Sequence, residues 1–441
     1  MLRKSLEDDR EPQLYREIFP FSDIPRVVWD FQPVKIHVPN EIYLTDTTFR
    51  DGQQARDPLT VEQIVTLYEK LHRLGGEKGI IRASEFFVYS KKDRMAVEQC
   101  IALEYDYPRV TGWVRASKED LQLVKEMKIS ETGILTSISD YHILYKFNST
   151  RSSVLEKHLS ICEEALKSGV SIRCHLEDLT RADFHGSVVP FAQKLMKLEE
   201  KYHLPVILRL CDTLGLGVPF SEAALPRSIP KLVHGLRSIG VPSDRLEFHA
   251  HNDFHKGVVN ATVAWLYGCT YVNTTLLSVG ERAGNVPLEA MVIEYVQLRG
   301  SNDGMNLSVL TEIADYYEKT GFNIPSYYPI LGKNFAVTRA GIHADGLLKD
   351  PQVYLPFDTE KILGIPPSIT ISPSSGLAGI AYWINSRFRL KGEDRISKHD
   401  PRVAEIQKWV SNKYAENEAT RISDIEMEDQ IRRYFPELFR H

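Results

Sequence analysis

The chain has only five cysteines, Cys100, Cys162, Cys174, Cys211 and Cys269, scattered, odd in number and without a CxxC pair. That argues against a disulfide framework and against a cysteine-built zinc site, and it suits a reducing, cytoplasmic compartment. Basic blocks are missing too. The net charge is −5, so no electrostatic footprint for nucleic acid is present. No apolar run is long enough to span a bilayer, which leaves no membrane role to explain. The N-terminus carries Arg3, Lys4 and then acids in place of the apolar stretch of a signal peptide. No GxGxxG follows the first strand pattern, so a dinucleotide fold is unsupported. What is there is ordinary globular material, 43% hydrophobic and 26% charged, in 441 residues that suffice for more than one domain.

From Glu41 onward short apolar runs alternate with amphipathic ones. Strands are expected at 41–46, 79–87, 109–114, 133–137, 169–175, 205–211, 246–250 and 270–274. Helices are expected at 60–74 with Thr60 as cap, from 91, from 117, at 152–167 and 184–202, within 222–239, after 254 and from near 288. Eight strand-then-helix units predict an α/β chain with a (β/α)₈ TIM barrel over 41–300. A doubly wound sheet is the rival, but it ordinarily needs fewer units. Residues 1–40 contain Phe19, Phe21, Val27, Val28, Trp29 and Phe31 and are too apolar for a free tail. They are expected to wrap a surface or cover one end of the barrel. Residues 301–441 read as a small helical C-terminal extension, with helices at 306–320 and 380–388 and a small-residue loop from Ser372 to Gly379. Such extensions often cover a site mouth or a neighbouring subunit. No room is expected for a regulatory domain beyond it.

In a barrel, chemistry sits at the C-terminal ends of the strands. The run Phe248-His249-Ala250-His251-Asn252-Asp253 ends one of them, and residues two apart in a strand share a face. His249 and His251 therefore look at one point, where two neutral imidazoles can bind a divalent metal. The pair alone is better described as two histidines hydrogen-bonded at a strand end. The first strand ends in Asp46-Thr47-Thr48-Phe49-Arg50-Asp51-Gly52-Gln53-Gln54, which offers a hard oxygen ligand in Asp51 and a fixed cation in Arg50. One acid and two histidines at barrel strand ends make a mixed oxygen and nitrogen site that suits Mn²⁺, Co²⁺, Mg²⁺ or Zn²⁺. Other polar strand ends are Glu85, the Arg173, His175 and Glu177 face of the fifth strand, and Asp212-Thr213. The loop Gly280-Glu281-Arg282-Ala283-Gly284-Asn285 can turn tightly after the eighth.

Taken together, Thr47–Gln54, His249–Asp253 and Gly280–Asn285 resemble the DRE-TIM metallolyase superfamily. They look like its acyl-CoA Claisen-condensing branch, which holds 2-isopropylmalate synthases, homocitrate synthases and Re-type citrate synthases. The resemblance implies that Asp51, His249 and His251 bind the metal with Asn285 close by as a further ligand. It implies that Arg50 holds a ketone oxygen and that Glu85 orients Arg50. Ala340-Gly341-Ile342-His343-Ala344-Asp345-Gly346 resembles the catalytic-histidine motif of such synthases, and Tyr354 their matching tyrosine. In those synthases both reach into the partner subunit's barrel and join a glutamate that matches Glu177, which implies a homodimer. The proton-abstracting base is left open among Glu177, His343 and Tyr354.

The substrates implied are acetyl-CoA and a 2-oxo acid. A branched aliphatic acid wants an apolar pocket, whereas a second carboxylate wants a cation. Arg173 resembles the arginine that holds the distal carboxylate in homocitrate synthases, and Thr213 the threonine that holds the first one. A dicarboxylic 2-oxo acid is therefore expected, with Arg50, Arg173, His175 and Thr213 against it. The Glu85-Phe86-Phe87 strand end, His175 and the long N-terminal segment look most like Re-type citrate synthases, which use oxaloacetate. Homocitrate synthase on 2-oxoglutarate and 2-isopropylmalate synthase are the alternatives. A 3-hydroxy-3-methylglutaryl-CoA-type lyase resembles the chain less, because Ser278–Glu281 lacks that family's cysteine. A biotin-dependent carboxyltransferase would need a Met-Lys pair at a strand end that the sequence does not have.

Overall fold

The computed structural model describes residues 12–338, 343, 346, 347, 349–372, 375–388, 390, 392–415 and 422–439. They form two compact units, one up to Asn306 and one from Leu307. The first is a closed barrel of eight parallel strands: β1 (Tyr43–Asp46), β2 (Ile81–Phe86), β3 (Arg109–Arg115), β4 (Glu131–Ser137), β5 (Ser171–Glu177), β6 (Val206–Asp212), β7 (Leu246–Ala250) and β8 (Tyr271–Thr274). Each pairs with the next, and β8 closes onto β1. Helices follow the strands: α1 (Val61–Gly75), α2 (Lys91–Ile101), α3 (Lys118–Glu126), α4 (Arg151–Lys167), α5 (Val189–Tyr202), α6 (Ile229–Ser238), α7 (Gly257–Tyr267) and α8 (Leu288–Arg299). The expected TIM barrel is therefore present.

Local rules explain the elements. Thr60 accepts from the Gln63 backbone while the Gln63 side chain accepts from Thr60, a capping box that starts α1. Ile64, Leu67, Tyr68, Leu71 and Leu74 then bury one stripe of that helix. The expected helix at 184–202 differs. It opens as a five-residue π turn, Phe184–Val188, and becomes α5 only at Val189. Pro190 tolerates that position because the first helical turn needs no N–H from it.

The barrel interior is charged. Arg173 Nη2 lies 2.6 Å from Glu131 Oε1, and Arg173 Nη1 lies 2.8 Å from Glu247 Oε1. Arg209 Nε meets Glu247 Oε2 at 2.5 Å, and Arg209 Nη1 meets Glu85 Oε1 at 2.8 Å. Burial pushes the Glu247 carboxyl up, yet the two guanidiniums more than reverse this and hold it down at about 2. Arg173 also faces Tyr271, a residue lining a cavity of about 880 Å³ at the N-terminal mouth of the barrel. This corrects the expectation that Arg173 holds a substrate carboxylate. Two buried carboxylates already share its charge, and it sits four residues below the strand tip, about 13 Å at strand rise.

Residues 12–40 lie along the first unit. Trp29 bridges to Ala223, Asp30 pairs with Lys231, and His37 N–H donates to Leu266 O. Residues His37–Asn40 line the cavity at the N-terminal mouth. The second unit has a core of Ile369, Ile380, Trp383, Ile384, Val403, Ile406, Val410, Met427, Ile431 and Phe435. Its helices include Val309–Lys319, Leu377–Arg387, Pro401–Ala415 and Asp424–Tyr434. It also holds a parallel pair, Val337–Thr338 with Ser368–Ile369, too short for any periodicity to announce.

Arg173→Met is expected to leave Glu131 with only the longer Arg109 ion pair and Glu247 with the Arg209 ion pair alone, and to destabilise the barrel by about 3–5 kcal/mol. Urea unfolding measures this. An unfolding free energy within about 0.5 kcal/mol of wild type would remove the structural role given to Arg173.

Candidate active site

The C-terminal mouth gathers Asp51, His249 and His251. Their donor atoms all lie within 4.8 Å of one another, and all three side chains are buried. Asp51 Oδ2 is 3.4 Å from His249 Nε2 and 3.7 Å from His251 Nε2. His249 Nδ1 bonds Asn273 Oδ1 at 2.7 Å, so its Nε2 lone pair faces the cluster. Asn285 Nδ2 donates to Asp51 Oδ2 at 2.9 Å, while Asn285 Oδ1 is buried with no hydrogen-bond partner. Burial keeps both imidazoles neutral. Burial also pushes the Asp51 carboxyl up, but the Arg50 guanidinium, with the Asn285 amide hydrogen bond, outweighs it and holds it ionised. One carboxylate, two neutral imidazoles and an orphaned amide oxygen fit a divalent metal.

Arg50 Nη1 pairs with Asp51 Oδ1 at 3.1 Å, and the guanidinium lies over the Trp113 ring at 4.1 Å. Arg50 Nε and Trp113 Nε1 are both buried without a hydrogen-bond partner. Unpaired buried donors beside a candidate metal centre favour an oxygen-rich ligand. Glu85 is occupied by Thr47 Oγ1 at 3.1 Å, His175 Nε2 at 3.2 Å and Arg209 Nη1 at 2.8 Å. His175 is buried, and burial with the nearby Arg209 lowers it to about 4, so it stands neutral behind Glu85. Thr213 Oγ1 accepts from Asp178 N at 2.8 Å, and the same hydroxyl can still donate.

Glu177, at the tip of β5, is ringed by donors. Ser137 Oγ donates to its Oε2, His142 Nδ1 lies 3.0 Å away and Lys146 Nζ 2.9 Å away. In the second unit, the His343 and Tyr354 rings lie 4.5 Å apart. His343 is exposed and Tyr354 is 40% exposed. Gly346 makes room there, since a Cβ on it would lie 2.5 Å from the Tyr354 ring. Residues 339–342, 344 and 345 of that motif lie outside the described residues.

The structure thus brings Asp51, His249, His251, Asn285 and Arg50 together, and pairs His343 with Tyr354 separately. Sequence reasoning missed Trp113, Arg209, Glu247, Asn273, His142 and Lys146. A signal existed for two of them. Arg209 and Glu247 interrupt otherwise apolar parallel strands, where a charge needs a partner.

A family model described as HMGL-like matches residues 41–316. A citrate (Re)-synthase of Syntrophus aciditrophicus (strain SB) is 50% identical over 439 residues, covering 99% of this chain and 70% of that one. A citrate (Re)-synthase of Clostridium kluyveri is 48% identical over 435 residues, covering 98% and 96%. Among solved structures, the HMG-CoA lyase of Bacillus subtilis is similar with a TM-score of 0.51 over 66% of this chain and 97% of that one. At 20% identity that likeness is one of fold.

Asp51→Asn, His249→Ala and His251→Ala should each abolish tight binding of divalent metal in calorimetric titration. Asn273→Ala, which removes the partner of His249 Nδ1, should weaken binding by about 10–100-fold. Wild-type affinity in Asn273→Ala would dismiss the orienting role of that amide.

Proposed function

The chain belongs to the HMGL-like family, and from that premise we infer that it acts as a citrate (Re)-synthase. It condenses acetyl-CoA with oxaloacetate and hydrolyses the resulting thioester to citrate and CoA. One observation carries the reading. The 48–50% identity to proteins of that name runs over nearly the whole chain. The Asp51, His249 and His251 cluster supplies the chemistry such a condensation needs.

Asp51, His249 and His251 would hold a divalent ion, which would supply Lewis acidity for the ketone, and their mixed oxygen and nitrogen donors suit Mn²⁺ or Co²⁺, then Mg²⁺ or Zn²⁺. Arg50 adds a fixed cation for the charge that develops on the ketone oxygen, and Trp113 holds its guanidinium from behind. The unpaired Arg50 Nε and Trp113 Nε1 are the donors left for the other oxygens of the oxo acid. Thr213 offers its hydroxyl to the first carboxylate. His343, with Tyr354 at its side, removes the methyl proton of acetyl-CoA, and the resulting carbon nucleophile attacks the ketone. Hydrolysis of the thioester makes the sequence irreversible. We place His343 and Tyr354 in the barrel of a second subunit, which makes the enzyme a homodimer. Their exposure on the second unit supports this. Five buried cysteines without a disulfide support a cytoplasmic setting, and no described helix is long and apolar enough to cross a membrane.

Thiol release from acetyl-CoA with oxaloacetate, 2-oxoglutarate and 2-oxoisovalerate, with products identified by mass, tests the reading. Citrate should form, and oxaloacetate should be preferred over its one-methylene homologue by about 10–200-fold in kcat/KM. Preferred formation of homocitrate or 2-isopropylmalate would overturn it. His343→Ala should also stop solvent deuterium exchange into the methyl group of acetyl-CoA.

A further inference from the structure

We propose that His142 and Lys146 are positioning residues for the condensation: with Ser137 they clamp one oxygen of the Glu177 carboxylate and fix where the other points. Glu177 Oε2 takes all three donors, namely Ser137 Oγ, His142 Nδ1 at 3.0 Å and Lys146 Nζ at 2.9 Å. Among the described residues, Oε1 has only the longer Lys146 contact at 3.3 Å. One oxygen is thus held and the other is left to accept from the reacting groups. The proposal rests on the synthase reading for its role, though not for its geometry.

The clamp is built by a five-residue π turn, His142–Lys146, directly after β4. Such turns recur at functional sites, and this one sets residues four apart against the same carboxylate. The turn is anchored on both sides. Tyr141 Oη donates to Leu14 O at 2.7 Å, and Asp140 pairs with Arg151 at 2.6 Å. Ser139 Oγ donates to Asp178 Oδ2 at 2.5 Å, tying the turn to the end of β5. Other charged or titratable groups near Glu177 are few. Asp178 lies 3.8 Å from His142 Nε2 and is itself paired with Arg181. His158 on α4 and Cys211 on β6 feel the Glu177 charge, and burial keeps both neutral.

The clamp also fixes charge. Burial pushes the Glu177 carboxyl up, but the His142 hydrogen bond, the Lys146 ammonium and the Ser137 hydroxyl more than reverse it, down to about 2. Glu177 is therefore ionised before any substrate arrives. A carboxylate held this low is a weak acceptor for a methyl proton. It is well suited to orient and charge-stabilise a base that takes the proton, as the acid of a carboxylate–histidine pair does.

Lys146→Met, His142→Gln and the double variant test this against wild type and Lys146→Arg. Each of the first two should lower kcat about 10–100-fold with KM for oxaloacetate within threefold. The acid limb of the kcat profile should move up by at least one pH unit, and Lys146→Arg should restore its position. Lower kcat with an unmoved acid limb, or unchanged kcat, overturns the proposal. A second measurement needs no substrate. The difference in Tm between wild type and Glu177→Gln should be full above pH 5 and should shrink as pH falls through about 4.5, because the folded carboxyl titrates below the unfolded one. In the Lys146→Met, His142→Gln background that shrinkage at low pH should be lost or reversed, because burial then acts against Ser137 alone. A Tm difference flat with pH in the otherwise wild-type protein rules out the clamp even if citrate is formed. A sloping one sustains it even if citrate is not.

Discussion

The chain of buried charges from Glu131 through Arg173, Glu247 and Arg209 to Glu85 is the constraint on which the rest of the barrel depends. Taking five charges out of water costs several kcal/mol per ion before pairing, and pairing returns this only with good geometry. Each carboxylate here is therefore met by a guanidinium or by a neutral donor. Thr45 Oγ1 donates to Glu247, Asn273 Nδ2 donates to Thr45 Oγ1, and Asn273 Oδ1 is left to accept from His249 Nδ1. The direction of each bond is forced by the one before it. The floor of the barrel thus dictates which nitrogen of His249 carries its proton, and so which one faces Asp51. His249 takes its tautomer from a carboxylate three residues away along that relay.

The same floor separates two kinds of polar group. Below the mouth, cations and carboxylates neutralise one another. At the mouth, Arg50 Nε, Trp113 Nε1 and Asn285 Oδ1 are buried and unpaired. A buried donor or acceptor left alone costs about 1–3 kcal/mol, which a bound substrate would relieve. The barrel concentrates that unsatisfied polarity at the strand ends, where β1, β3 and the loop after β8 bring their tips together. Glu177 follows the opposite rule. It is over-supplied with donors, so its task lies in holding charge in place.

Much of this was legible in the sequence. Parity along a strand put His249 and His251 on one face, and the barrel pattern put Asp51 at another strand tip. Parity also placed Arg173 on the Glu177 side of β5, but it carries no information on depth or on partners. Glu131 and Glu247, which occupy Arg173, come from two other strands and become visible only in the closed barrel. Asn273 and Trp113 looked like ordinary strand residues, and their importance comes from what they face. His142 and Lys146 lie in a π turn, a geometry that no hydrophobic period signals. Strand parity groups His249 with His251, as the fold does, but it gives no sign that Arg173 is already paired with two carboxylates.

Two glycines show how closely the polar groups are set. Neither has a positive φ, so conformational freedom does not explain them. A Cβ on Gly133 would lie 2.6 Å from His175 Nε2 and 2.8 Å from Glu85 Oε1. A Cβ on Gly280 would lie 1.6 Å from Asn285 Oδ1. Any side chain at either place would push back a group of the mouth, Glu85 and His175 in the first case and the Asn285 amide in the second. Missing atoms on β4 and on the loop after β8 therefore fix positions on β2, β5 and beside Asp51. The geometry offered to a metal and a 2-oxo acid is set as much by what these strands leave out as by the ligands they carry.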